Sequence, residues 1–458
     1  MMLIDYIKFN HTRIHRNIYI MKKYLYLSVL VMAISMASCA PSEVEDIFDE
    51  SPAVRLDNAI EYYTEYLQQD GGRWLMEYFA SADEEGFNFI MTFHDDGSVN
   101  ISGQNEYVND GAFSSDVSTW EVVSNYGPVL SFNTYNKVFH TFSSPQSDGT
   151  GHGGDYEFII LKAEDNKLYL RGKKSRDKGQ VIDMVMTRLS TSDYPTDEDY
   201  FNSLAAVRKA AFSDRINNYV LTTPSGKRYI CNDVTTMLWS FYPETSSLLD
   251  AGEYMNAIIT TTGVRFMEPL AFLNEYDEND VAAQNFEFQP DGSLLCTDDG
   301  ATTIEGPALA DLFEQTQLGW MFSTNSGEMG GRFLELFNNI VSEAKTTYKT
   351  TFNWLQLGYE PAKAKYRLYF RNGRYYGSIY VSHEKLDDHT IKFSFNPENP
   401  DAFDNNGKSH YNNLPSMKAM VELLCSDTYT LTSNNVMVSN PMTMTSASNS
   451  ANFVVLGF

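Results

Sequence analysis

The residues best suited to chemistry are the histidines, of which the 458-residue chain has eight. Two lie in His383-Glu384-Lys385-Leu386-Asp387-Asp388-His389. A zinc-hydrolase helix needs His-Glu-x-x-His, which sets both imidazoles on one face beside the glutamate base. Here the second histidine comes too late, and Asp387-Asp388-His389 reads as a turn between strands. A solvated loop is the stronger reading. The sequence carries no G-x-S-x-G elbow and no P-loop. Cys231, Cys296 and Cys425 lack C-x-x-C spacing and so form neither a zinc site nor a disulfide framework. They read as buried apolar groups, with a single Cys231–Cys296 bridge left open. Single carboxylates are too numerous to nominate a glycosidase pair.

The densest constellation runs from Leu130 to Phe158. It holds Asn133, Tyr135, Asn136 and His140, then a glycine-rich loop from Gly149 to Gly154 that contains His152, then Asp155. Glycine permits close backbone approach to a ligand, and polar side chains among aromatics suit a binding rim. These six polar residues are the candidate ligand contacts. A haem ligand would use His140 or His152. The bland alternative makes Phe132, Val138, Phe139 and Phe142 core, with His140 hydrogen-bonded inside it and the loop merely a long hairpin. No cofactor and no metal is specified.

Such residues need a scaffold, and the periodicity describes one. Ser51-Pro52 starts a helix whose apolar stripe is Ala53, Leu56, Ile60, Tyr63 and Leu67. From Trp74 the period changes to two, and Phe87, Phe89, Met91 and Phe93 alternate as a half-buried strand requires. About eight short strands follow one another to Arg188 without intervening helices, which predicts an antiparallel meander or a closed lipocalin-like barrel over 51–190. A polar joint, Ser190–Thr196, leads to a helix with Asp197-Glu198-Asp199 in its first turn. Residues 197–458 then read as a larger β-rich region, divisible into two subdomains near 331. The fold class is mainly β with a few helices (α+β). Phe93-His94-Asp95-Asp96-Gly97-Ser98 resembles Phe288-Gln289-Pro290-Asp291-Gly292-Ser293, with Phe370-Arg371-Asn372-Gly373 a shorter echo. These are hairpin turns before they are calcium loops, because the regular ladder of oxygen ligands is missing.

The first forty residues are an address. Lys22-Lys23 precede an apolar run, Tyr24 to Ala37, too short for the ~20 residues of a spanning helix and suited to a secretory signal. It ends in Met36-Ala37-Ser38-Cys39, which resembles a lipoprotein lipobox and implies cleavage before Cys39 and lipidation there. Residues 1–38 are thus an upstream extension and signal, with Met21 the expected start. Residues 39–50 form an acidic tether, which also resembles a surface-export signal. The expected location is the outer membrane, anchored by lipid at the cell surface, with a periplasm-facing anchor the alternative. With 60 Asp and Glu against 34 Lys and Arg, net charge -26, nucleic acid is excluded as a partner.

Phe132-Asn133-Thr134-Tyr135-Asn136 with His140 and Phe142, then Gly153-Gly154-Asp155-Tyr156-Glu157-Phe158, resembles the Bacteroidetes lipoprotein family called domain of unknown function 4302. Arg55, Gly72-Arg73-Trp74-Leu75-Met76-Glu77-Tyr78 and Gly263-Val264-Arg265-Phe266 fit the same pattern. The resemblance supplies no catalytic residue. It implies a setting beside TonB-dependent receptors, starch-utilisation-type binding lipoproteins and a zinc peptidase. The expected function is a non-enzymatic binding accessory of nutrient uptake, its ligand a glycan, a peptide or a haem-like molecule. A scaffolding module that docks to outer-membrane proteins is the second reading, and a hydrolase with an unrecognised site the third.

Overall fold

The molecule is mainly β with few helices, as the periodicity predicts. The computed structural model describes residues 51–144, 151–177, 179, 181–245, 253–270, 283–315, 319–325, 327–360, 363 and 365–458. Among these, the strands close into three antiparallel barrels of eight, each strand pairing with its neighbour in chain order. All three lie in the unit 59–458.

Helix α1 (Pro52–Gln68) leads into the first barrel: β1 (Arg73–Phe79), β2 (Gly86–Phe93), β3 (Ser98–Gly103), β4 (Ser114–Ser124), β5 (Pro128–Phe132), β6 (Glu157–Glu164), β7 (Lys167–Gly172) and β8 (Asp183–Arg188), with the short α2 (Lys173–Asp177) between the last two. Pairing of Met76 with Met186 closes it. Helix α3 (Asp197–Ala211) follows, started by a capping box in which Thr196 and Asp199 satisfy each other's backbone N–H.

The second barrel comprises β9 (Tyr219–Thr222), β10 (Arg228–Asn232), β11 (Leu238–Pro243), β12 (Glu253–Ile259), β13 (Gly263–Phe266), β14 (Asn285–Phe288), β15 (Leu294–Cys296) and β16 (Thr303–Glu305). Ile304 against Leu221 closes it. Cys231 and Cys296 are buried free thiols there, both pushed up by burial, Cys296 to about 11. No bridge joins them.

The third barrel starts with β17 (Gly319–Phe322), ahead of helix α4 (Gly331–Thr347), so its strands lie on both sides of 331. It continues with β18 (Phe352–Glu360), β19 (Lys365–Asn372), β20 (Tyr375–Asp387), β21 (Thr390–Ser394), helices α5 (Asn405–Asn413) and α6 (Pro415–Cys425), β22 (Thr428–Ser433), β23 (Met442–Ser446) and β24 (Phe453–Gly457). Strand β17 closes it by pairing with both β18 and β24.

Inward positions fill every barrel. In the first, Trp74, Met76, Tyr78, Phe89, Phe132 and Phe158 are buried inside, as alternation demands of strands in which every second position faces a closed interior. Strand β1 is buried on its outer face as well, since Leu75 packs with Ile90 against Tyr200 and Phe201 of α3. That double burial explains the nearly continuous apolar run from Trp74 to Phe79. In α1 the stripe is buried only towards its end: Leu67 is buried, Ile60 and Tyr63 are half-buried and Ala53 is exposed.

The Asp-Gly hairpins are built alike. Asp96 accepts the N–H and hydroxyl of Ser98, and Asp291 those of Ser293. Gly97 and Gly292 take φ of 80° and 90°, a conformation other residues adopt at a cost. In each turn the Oδ1 of the carboxylate takes both bonds.

Candidate functional site

The six sequence-predicted contacts lie at one end of the first barrel, in separate small networks. Asn136 is buried, and its Oδ1 accepts the N–H groups of Val138 and Phe139 at 3.0 Å each. That fixes the turn which drives Phe139 and Phe142 into the barrel, edge-on to Tyr78 and Phe89. His140 accepts the Asn136 N–H at Nδ1, 3.0 Å away, between the rings of Tyr135 and Tyr156. Burial holds its imidazole below the ordinary value, opposed by hydrogen bonds with the backbone of Phe132 and Asn136. Tyr135 is exposed, and Asn133 donates to Glu121 on the surface.

His152 belongs to a second group. Its Nδ1 lies 2.7 Å from Glu84 Oε1, and its ring stands edge-on to Tyr107 at 4.3 Å. Asp155 belongs to a third: it accepts the Ser175 hydroxyl and the backbone N–H groups of Lys174 and Ser175, tying down the start of α2. Burial raises its pKa while these bonds pull the other way. Gly154 is required because a Cβ there would come within 2.0 Å of the Tyr78 hydroxyl. The close approach it permits is to the protein's own side chain. Gly149 and Cys39 lie outside the described residues.

His383 lies on strand β20 opposite Phe393, and Asp387 caps the following turn by accepting the His389 N–H. Among the described residues no three His, Cys, Asp or Glu side chains converge as metal ligands would.

A better-formed site lies between the first two barrels. The outer face of β1 carries Glu77 where its neighbours are buried, and the outer face of β13 carries Arg265, only 7% exposed. The two form an ion pair through Arg265 Nε and Glu77 Oε2, with the guanidinium also over the Phe79 ring. Neighbouring bonds lock the barrels together here: Asn88 donates to the Ile259 carbonyl at 2.8 Å and Asn256 to that of Glu84 at 2.7 Å. Among the described residues, Arg265 Nη2 is buried and has no hydrogen-bond partner.

Arg265 and Glu77 line a cleft of about 550 Å³. One wall is the outer face of β7 and β8, with Lys167, Tyr169 and Val185, flanked by Leu161 and Val181; the other is Met267, Pro269 and Gln284. Leu161 and Val181 are 43% and 52% exposed, large for such side chains. Gln284 donates to the carbonyls of Phe266 and Met267, which holds the second wall in place. Asp183 is paired with Arg171 at 2.6 Å. The cleft therefore offers a neutralised guanidinium with one spare donor and an apolar wall.

Neither Glu77 nor Arg265 is singled out by sequence reasoning, although both sit in the segments that carry the family resemblance. The usable signal was a lone charge in a strand otherwise apolar on both faces. A family model matches residues 44–285. The chain belongs to the family described as domain of unknown function (DUF4302). No curated protein and no solved structure matches it. The DUF4302 stretch takes in the whole first barrel and ends at the first residue of β14, so every residue lining the cleft falls inside it. The third barrel lies beyond it.

Proposed function

We propose that the chain is a non-enzymatic binding lipoprotein, anchored through Cys39 to the outer membrane, that captures short peptides in the cleft between its first two barrels as an accessory of nutrient uptake. The observation that carries this reading is the Nη2 of Arg265, unpartnered among the described residues, in a cleft with an apolar wall. Glu77 already neutralises the guanidinium, so the cleft calls for an acceptor without full charge. A peptide carbonyl is such an acceptor, and a neighbouring apolar side chain fits the wall of Leu161, Val181 and Val185. The filled barrel interiors favour a site between barrels over one inside them.

Isothermal titration of the full chain against apolar-rich short peptides, neutral oligosaccharides and haem tests the ligand class. Peptides are expected to bind, and the paired substitution Glu77→Leu with Arg265→Met to weaken them about ten-fold or more, a loss of ~1.4 kcal/mol or greater. Unchanged peptide affinity in that variant, or preference for another ligand class, defeats the reading. For the anchor, Cys39→Ala should shift the chain from the membrane fraction to the soluble one. Retention on membranes after a high-salt wash would refute lipidation.

A further inference from the structure

The third barrel presents a second, unrelated surface. Its outward positions on β18, β19 and β20 form cross-strand rows, fixed by the pairing of Trp354 with Arg371 and of Arg371 with Tyr376. The next row brings Gln356 beside Tyr369 and Ser378. Rows two residues apart lie ~7 Å from each other and strands ~4.8 Å apart, so the aromatic side chains form one patch. The Trp354 and Tyr369 rings are 5.2 Å apart, and Tyr369 and Tyr376 are nearly parallel, at 24° and 6.0 Å. Tyr376 is 44% exposed.

Arginines interleave with these rings. Arg367 stacks on Tyr369 at 4.1 Å and Arg371 on Tyr376 at 5.6 Å. Glu360 pairs with Arg367 at 2.6 Å. Among the described residues, no carboxylate pairs with Arg371 or with the nearby Arg374. Arg371 makes one bond, to the Gly373 carbonyl, and Arg374 one, to the Tyr375 hydroxyl. In a chain of net charge -26, two arginines without carboxylates beside the exposed Tyr376 and the half-buried Trp354 and Tyr369 form a local reversal of sign.

We propose that this ledge binds an acidic polysaccharide, one built of uronic acid units. The flat aromatic faces accept the apolar C–H faces of sugar rings, and Arg371 and Arg374 present planar donor forks that suit carboxylates. A polyphosphate chain fits worse, because its dense charge meets the negative field of the whole molecule. The carboxylates of a uronate chain are spread one to a sugar.

Affinity electrophoresis of the full chain in gels containing polygalacturonate, neutral dextran or single-stranded DNA provides the test. Retardation is expected in polygalacturonate alone, and it should weaken as salt rises. Trp354→Ala and Arg371→Ala should each weaken binding about ten-fold. Melting curves of both variants establish that they fold; Arg371→Lys, which keeps the charge and loses the fork, should fall between Arg371→Ala and the native chain. Equal retardation by dextran removes the acidic requirement and overturns the proposal. Stronger retardation by DNA overturns it in favour of nucleic acid, and no retardation, or retardation unchanged in both variants, overturns it outright.

Discussion

The first and third barrels share an architecture and differ in what they do with it. Both are eight-stranded and close in chain order, and both couple a helix to the barrel. In the first, α1 precedes all eight strands and β8 returns to β1. In the third, one strand comes before the helix: β17 stands between β24 and β18, where the first barrel has β8. Counting from the helix, the hairpin after the second strand is Asp96-Gly97 in one and Asn372-Gly373 in the other. A barrel requires a closed set of pairings, and which strand the chain supplies first does not matter. The outer faces diverge more. On β1 they are covered by α3 and the second barrel, with a charge pair at the edge of a cleft; on β18 to β20 they expose rings and arginines. With interiors filled, both proposed sites lie on the outsides.

Stability should break that comparison most visibly. Arg265→Ala leaves the Glu77 carboxylate, only 12% exposed, without its partner and is expected to cost about 3 kcal/mol in urea unfolding. Arg371→Ala, on the open face of the third barrel, should change stability by no more than about 0.5 kcal/mol. Replacing Arg265 and Glu77 together by Met and Leu should recover most of the loss. Equal costs for Arg265→Ala and Arg371→Ala would mean the cleft pair is not buried in solution.

A smaller effect should unite the barrels. Each buries a neutral histidine: His140 in the first, and His410 in the third, where Nδ1 donates to the Asn406 carbonyl, Nε2 accepts from Asn372 and the ring stacks on Tyr348 at 4.3 Å. Burial lowers both pKa values from the ordinary ~6.5. As pH falls through ~6.5 the unfolded chain takes up protons that the folded chain refuses, so stability declines with acidification below that value. His140→Phe and His410→Phe should each flatten the decline between pH 7 and 5, and the double variant more. A profile with native slope in the double variant would assign the acid sensitivity elsewhere.

Much of the first barrel was legible. Its strands are five to eleven residues long, apolar and set off by turn residues, so their existence, order and hairpins could be read from Trp74 to Arg188. In the remainder the strands that close the barrels carry no legible pattern. Strands β9, β16 and β17 have four, three and four residues, too few to display a period. In β18 a register irregularity between Phe352 and Trp354 interrupts the alternation. Without its closing strands a barrel reads only as a β-rich region. The six nominated contacts lie in the sequence where the aromatics cluster, yet the structure engages Asn136, His140, His152 and Asp155 with neighbouring side chains or backbone.

By itself the sequence determined the β class, the hairpin chemistry, the helix starts and the family motifs, because each of these depends on residues within a few positions of one another. Whether a strand closes back on one some hundred residues away depends on long-range pairing, which no local pattern records. The same holds for Glu77 and Arg265. Each is one charge on one outward position, and only the packing of barrel against barrel brings them together, removes their water and leaves a donor unpaired.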